Sequence, residues 1–327
     1  MLVGFACKIN KSPGVADPSL NIKSTTVTWL TNATKQAAYQ KLETLALGNV
    51  NILLKQIEWV GKLPPMQRMF RISSDVLPCF THPVATPFYK SPEVLKVLGH
   101  AFSNVGARAR QLGVRLSFHP GQFCVLASEN PQTVENSILE FEYHANMIRW
   151  MGYGKKFQDF KCNVHIGGKL GPEGIIKALG RLSPEARNSI TIENAEFTWH
   201  LSHSLKLKDH LALVLDVHHH WIASGEWIEP SDPRIELIKE SWRGVRPVIH
   251  LSCSREEHIQ EVQDPSLMPD LDTLMYLGYT RQQLRAHSDF YWNGPINQWA
   301  KTHLSWADIM LESKEKNLAQ HRFVSNS

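Results

Sequence analysis

The stretch LVLDVHHHW, residues 213–221, runs from an apolar segment straight into one carboxylate, three imidazoles and a tryptophan. A short continuous apolar run is what a strand buried on both faces looks like. Ending it on Asp216 and a histidine cluster puts polar chemistry where a sheet meets its loops. Outward from this stretch the same unit repeats. Strand-like runs occur at LVGFAC (2–7), MFRISS (69–74), VRLSFH (114–119), CNVHIG (162–167), SITIEN (189–194), LALVLDV (211–217), PVIHLS (247–252) and DIMLES (308–313). Helical periodicity falls between them, over 34–60, 91–112, 131–153, 172–181, 198–208, 231–242 and 270–286. Alternating strands and helices make a parallel sheet, and eight such units predict an α/β fold of one (β/α)8 TIM barrel. No glycine-rich turn follows the first strand, which argues against an open doubly wound sheet. The segment after Glu312, SKEKNLAQHRFVSNS, is polar and lacks a regular helical pattern. The barrel is therefore expected to be irregular at its C-terminal closure, with a barrel domain over 1–318 and a polar tail over 319–327.

The 327 residues are 43% hydrophobic and 20% charged, with a net charge of +4, a balance that admits a polyanionic partner without requiring one. Apolar runs are strand-length and interrupted, so no membrane helix is expected. MLVGFACKIN has no basic residues ahead of its apolar run and reads as a first strand, not a signal peptide. Five cysteines (Cys7, Cys79, Cys124, Cys162, Cys253) are scattered and form no CxxC pair. That excludes a disulfide framework and a zinc–thiolate site, and points to a reducing, cytoplasmic setting. A monomer is expected.

The strand ends carry the chemistry. His119, His165, Glu193, Asp216, His250 and Glu312 each stand at the carboxyl end of a predicted strand, and His82 lies in the loop after the second. A barrel brings all such ends to one face. No matching set of Lys or Arg is read at these ends, so the carboxylates call for cations. Imidazole and carboxylate without thiolate suit Mn, Zn, Fe or Co. So many ligands exceed one ion, and two or three ions sharing a carboxylate suit phosphate ester hydrolysis. Asp216 is expected to point into the mouth and His219 to reach a neighbouring ion, with His218 and His220 supporting or solvated.

The blocks FRISSDVLPCFTHP, LSFHPGQF, VHIGG, TIEN, LDVHHH, VIHLS, HSDF and MLESKEK resemble, in order, the signature blocks of the ultraviolet damage endonucleases, a repair family related in fold to endonuclease IV. They cover about residues 69–318. The resemblance implies a TIM barrel with two to three divalent ions, Mn2+ first and Zn2+ or Co2+ as alternatives. It implies damaged double-stranded DNA as substrate, nicked 5′ of cyclobutane dimers, 6-4 photoproducts or abasic sites, leaving a 3′-hydroxyl. The implied ligands are His82, His119, His165, Glu193, Asp216, His219, His250, His287 and Glu312. Glu193 would bridge two ions, Asp216, His250 and Glu312 would complete the second site, and His219 and His287 would hold a third, with Asp289 beside them. Catalytic roles would fall to Glu193, Glu312 and Lys314. Gln122 and Phe123 match the pair that probes the helix at the lesion, and Phe5 matches a further substrate contact. Lys169, Arg255, Arg243 and Lys314 are candidate phosphate contacts from βα loops.

Three positions depart from the family pattern. Phe123 and Phe5 stand where relatives often have Tyr, and Val248 stands where some relatives have a Lys that assists the metals, so either the third site is weaker here or another group, Asp289 or Lys314, takes that role. Two rival readings share the barrel. A metal-dependent sugar isomerase or epimerase would lack the Gln–aromatic pair, and a non-catalytic damage-binding barrel would have lost its ligands.

Overall fold

The computed structural model describes residues 1–260 and 262–325. Its barrel strands are β1 (Val3–Ala6), β2 (Met69–Arg71), β3 (Arg115–Phe118), β4 (Lys161–His165), β5 (Ile190–Glu193), β6 (Ala212–Val214), β7 (Val248–Leu251) and β8 (Asp308–Leu311). Each falls on one of the expected runs. They pair in parallel in the order β6-β5-β4-β3-β2-β1-β8-β7. Strands β1, β5, β7 and β8 are buried along their whole length, as the apolar runs require.

Helices pack around the outside: α1 (Lys35–Gly61), α2 (Pro92–Leu112), α3 (Pro131–Trp150), α4 (Gly171–Leu179), α5 (Val217–Ser224), α6 (Pro233–Ser241), α7 (Gly294–Thr302) and α8 (Lys316–Ser325). Their starts follow local chemistry. Thr34 accepts from the Ala37 N–H ahead of α1, and Asn130 accepts from Gln132 and Thr133 ahead of α3. The helix expected over 270–286 is two short ones, Leu271–Tyr276 and Arg281–Leu284, separated at Gly278, whose φ of 95° no helix continues through.

The barrel is nearly closed, and its irregularity is confined to one seam. β8 pairs in register with β1 and with β7. The seam lies between β6 and β7, where a single parallel bridge joins Asp216 to His250 and the His250 N–H donates to the Leu215 carbonyl at 2.9 Å. Residues 319–325 of the expected tail belong to α8, and 326–327 lie outside the described residues. Two polar residues of α8 are buried: Gln320 donates to the carbonyls of Val3 (2.6 Å) and Gln67 (3.0 Å), and Asn317 exchanges hydrogen bonds with the Asn10 backbone at 2.7 and 2.9 Å. Amide side chains that satisfy strand-end backbone groups look like solvated residues in a sequence, which is why the periodicity does not predict this helix.

Candidate metal centre

At the carboxyl end of the strands a cavity of about 640 Å³ opens. His165 and Glu193 close β4 and β5 side by side in register, His119 follows β3, Glu312 follows β8, and His250 sits within β7. Asp216 is the N-cap of α5, so the histidine run lies on a helix and not on a loop. One Asp216 oxygen, Oδ1, accepts from the His219 N–H at 2.7 Å. The other, Oδ2, is buried without a hydrogen-bond partner, as are Glu193 Oε1 and His250 Nδ1. Buried polar atoms left unpaired cost free energy, and three in one site are an arrangement that bound cations would complete.

The histidine tautomers fit the same reading. Nδ1 of His119 faces the Pro120 carbonyl at 3.0 Å, Nδ1 of His219 the Asn194 carbonyl at 3.0 Å, and Nδ1 of His287 the Glu312 carbonyl at 3.1 Å. A carbonyl only accepts, so each Nδ1 carries a proton and Nε2 is the atom these rings would offer a metal. His119 Nε2 faces Glu193 Oε2 at 3.2 Å. Three groups have ligand atoms within 4.8 Å of one another among the described residues: His119, His165 and Glu193; Glu193, Asp216 and His219; Asp216, His250 and Glu312. Glu193 belongs to two of them, and so does Asp216. These clusters can hold metal ions.

The electrostatics show what the carboxylates cost without them. Burial pushes the Asp216 carboxyl well above its usual range; His219 opposes this, while Glu193 and Glu312 add to it. Burial also works on Glu193, but His250, His165 and His119 outweigh it and hold the carboxyl well below its usual range. For Glu312 burial is opposed chiefly by Arg71, and the result is again well below. Burial would lower His219, yet Asp216 and Glu193 raise it to about 9. His250 goes the other way, to about 4, through burial and the neighbouring Lys161.

Arg71 and Lys161 are additions to the expected set. Arg71 Nη1 pairs with Glu312 Oε1. Lys161 is 3% exposed, and burial lowers its amine to about 7. Arg71, the last residue of β2, is a cation at a carboxyl strand end, against the sequence expectation, and Lys161 reaches in from the start of β4. The signal is strand alternation: Lys161, Asn163 and His165 share the inward face of β4, and Asn163 Nδ2 donates to Glu193 Oε2. Glu196 is a further addition; it lines the cavity, with Oε2 3.9 Å from His219 Nε2 and Oε1 3.0 Å from Arg285 Nη1.

Other expected residues fall in different places. His82 is exposed and belongs to none of the three groups; its Nδ1 accepts from the Val84 N–H. A loop residue has no periodicity to aim it. His287 lines the cavity but joins none of the groups either. Phe5 is fully buried, its ring against Phe70 and Trp59 in the layer between barrel and helices, so it does not face the mouth. Cys7, turned by a φ of 69°, lines the cavity instead. Lys314 is exposed, with Nζ 3.8 Å from Asp289 Oδ1, and neither replaces a lysine at the buried Val248. The amine inside the barrel comes from β4. Arg243 lies before β7, at the opposite end from the mouth, stacked on Phe157. Lys169 and Arg255 are on βα loops and pair with Glu129 at 3.2 Å and Glu257 at 2.9 Å. His218 is buried between Ser252 (2.8 Å) and Ser254 (3.1 Å), and His220 contacts Glu226 at 3.0 Å; neither belongs to the three ligand groups.

Gln122 lines the cavity, and Phe123 beside it is 68% exposed. A Cβ at Gly121 would lie 2.5 Å from Phe123 Cε1, so the glycine lets the ring fold over its own loop.

Fold and site together define a (β/α)8 barrel whose mouth gathers histidines and carboxylates suited to divalent cations. Residues 1–326 match the family described as UV-endonuclease UvdE. The UV DNA damage endonuclease of Bacillus mycoides (strain KBAB4) is 25% identical over 316 residues, covering 92% of this chain and 88% of that protein. That of Bacillus cereus (strain B4264) is 26% identical over 268 residues, 78% of this chain and 74% of that one. In three dimensions the chain is similar to the crystal structure of SacUVDE, with a TM-score of 0.72, 23% identity and coverage of 99% and 96%. It is also similar to endonuclease IV from Thermus thermophilus, with a TM-score of 0.54, 15% identity and the same coverage of 99% and 96%. The chain belongs to the UV-endonuclease UvdE family. No described helix is long and apolar enough to cross a membrane.

Proposed function

We propose that this protein cuts a phosphodiester of damaged duplex DNA, 5′ of UV photoproducts and of abasic sites, leaving a 3′-hydroxyl, with two to three divalent ions, Mn2+ foremost, at the barrel mouth. The observation that carries the reading is the set of three overlapping ligand groups around buried, unpartnered atoms of Glu193, Asp216 and His250. Divalent ions bound there supply Lewis acidity and a water that ionises near neutral pH.

The chain's own residues do the rest. Glu193, kept ionised by the imidazoles around it, offers its two oxygens in different directions: Oε2 toward His119 and His250, both at 3.2 Å, and Oε1 toward His219 at 3.4 Å. Arg71 keeps Glu312 ionised. Gln122 and Phe123 stand at the rim, where an exposed ring can stack on an unstacked base, and a lesion is chosen because unstacking costs less there. Lys169 and Arg255 serve as phosphate contacts that position the duplex without reading its sequence.

The test is incision of an end-labelled duplex carrying one defined cyclobutane dimer. Cutting on the 5′ side with Mn2+, and none in chelator, is expected. Equal cutting of damaged and intact duplex, or no cutting by metal-loaded protein, overturns the reading.

A further inference from the structure

Of the lysines and arginines among the described residues, only Arg71 and Arg285 line the cavity of the metal centre. Arg71 is committed to Glu312. Arg285 lies two residues before His287, whose Nδ1 faces the Glu312 carbonyl at 3.1 Å and ties the chain to the mouth there. Nη1 of Arg285 meets Glu196 Oε1 at 3.0 Å, while the other Glu196 oxygen is 3.9 Å from His219 Nε2. The guanidinium carbon stands 5.5 Å from the centre of the Phe197 ring. No other polar group among the described residues pairs with the guanidinium. Phe197 is itself 44% exposed, in the loop after β5. That loop is closed by the Ala195 N–H donating to the Trp199 carbonyl at 2.8 Å and pinned by Trp199 Nε1 donating to the Gly168 carbonyl at 3.0 Å. The ring is therefore held out by a hydrogen-bonded loop and not drawn in by core packing, and its neighbour is a cation at the cavity wall.

We infer that Arg285 is a substrate-binding residue that grips a backbone phosphate of the DNA strand lying at the metal centre, with Phe197 as the positioning residue against its guanidinium. A guanidinium has five N–H donors in a planar fork that matches phosphate oxygens. The single contact to Glu196 leaves most of that fork unused. The aromatic face fixes the plane of the group and the carboxylate fixes one end, so the remaining donors are oriented before substrate arrives. Lys169 and Arg255 lie outside the cavity, whereas Arg285 shares it with His119, His165 and Glu312 and so reaches the nucleotides beside the cut. A phosphate carries no base identity, so Arg285 supplies affinity while choice of lesion stays with Gln122 and Phe123. The inference rests on the proposed function.

The test is single-turnover incision of a duplex bearing one cyclobutane dimer by Mn2+-loaded full chain, across a series of KCl concentrations. It reads the half-saturating enzyme concentration and the rate at saturation. Arg285→Gln should raise the half-saturating concentration by roughly 10-fold, the scale of a lost charged hydrogen bond. It should also make the log–log dependence on salt shallower by about 0.9, the share of one phosphate contact. Arg285→Lys keeps the charge and loses the fork, so the wild-type salt slope should return with only part of the affinity. Phe197→Leu should raise the half-saturating concentration by about 3-fold with the slope kept, as expected when a stacked cation is loosened. Elemental analysis should show the wild-type metal content in all three variants. An unchanged salt slope in Arg285→Gln, or a fall only in the rate at saturation, overturns the inference and leaves Arg285 as a partner of Glu196. Loss of metal in Arg285→Gln also overturns it, since the residue would then serve the metal centre. A wild-type protein that does not cut the dimer-bearing duplex overturns the proposed function itself, which separates the two failures.

Discussion

At the amino-terminal end of the barrel, Asp308 is 2% exposed and accepts from Arg115 Nη1 at 2.6 Å, Arg246 Nε at 2.7 Å and the Leu2 N–H at 2.8 Å. At the carboxyl end, Glu193 and Asp216 are as deeply buried, yet each keeps an oxygen with no partner. The arginines around Asp308 are themselves held by carbonyls, Arg115 by Arg246 and Arg246 by Leu304 and Ala307. One end is a hydrogen-bonded ion network in which the buried carboxylate is fully partnered. The other leaves buried carboxylate oxygens without a hydrogen-bond partner. Stability of the barrel explains the first; the second is an arrangement that bound cations would complete.

This contrast can be broken in order of effect. Glu193→Gln removes the charge shared by two ligand groups, and turnover should fall by about 10³-fold or more, ~4 kcal/mol on the barrier. The metal-free variant should unfold no more easily than the wild type, which chemical denaturation in chelator checks. Asp308→Ala should do the reverse. It strands Arg115 and Arg246 and should cost about 3 kcal/mol of stability, the scale for breaking a buried pair from one side, while Mn2+ stoichiometry stays unchanged.

Acid sharpens the same division. His303 is buried, donates from Nε2 to the Ile228 carbonyl at 3.1 Å and accepts from Trp306 Nε1 at Nδ1, also at 3.1 Å. The folded ring therefore has no room for a second proton, and burial lowers it to about 4. An unfolded histidine titrates near pH ~6.5, so the unfolded chain takes up the proton first as pH falls. The contribution of His303 is fully present above about pH 6.5 and is lost toward pH ~4, on the order of 3 kcal/mol. Denaturation midpoints across this range should fall less steeply for His303→Gln, and equal slopes would remove His303 from the account. The smallest effect belongs to the rim. Replacing both Gln122 and Phe123 by Ala should cut discrimination between dimer-bearing and intact duplex by about 10-fold, the scale of one lost stacking contact. Incision at an abasic site, already partly unstacked, should suffer less.

The barrel is legible in the sequence because strands covered on both sides must be apolar throughout, and each then ends visibly on a polar residue. His119, His165, Glu193, Asp216, His250 and Glu312 are found in this way, by position and not by type. What escapes depends on which way a side chain points. Lys161 lies one residue before the apolar run CNVHIG, so its inward face goes unseen. Phe5 is placed at the mouth by likeness, while its packing against Phe70 and Trp59 is a three-dimensional fact. The helix through VHHHW is hidden because three histidines carry no apolar period; its start is set by Asp216 as a cap.

The most direct test of the contrast between the two ends is elemental analysis of gently purified wild-type protein. At least two divalent ions per chain are expected, mostly Mn or Zn, all lost in Glu193→Gln or reduced below one, and retained in Asp308→Ala. A wild-type chain that holds no metal, and that still cuts a dimer-bearing duplex in chelator, would contradict the account.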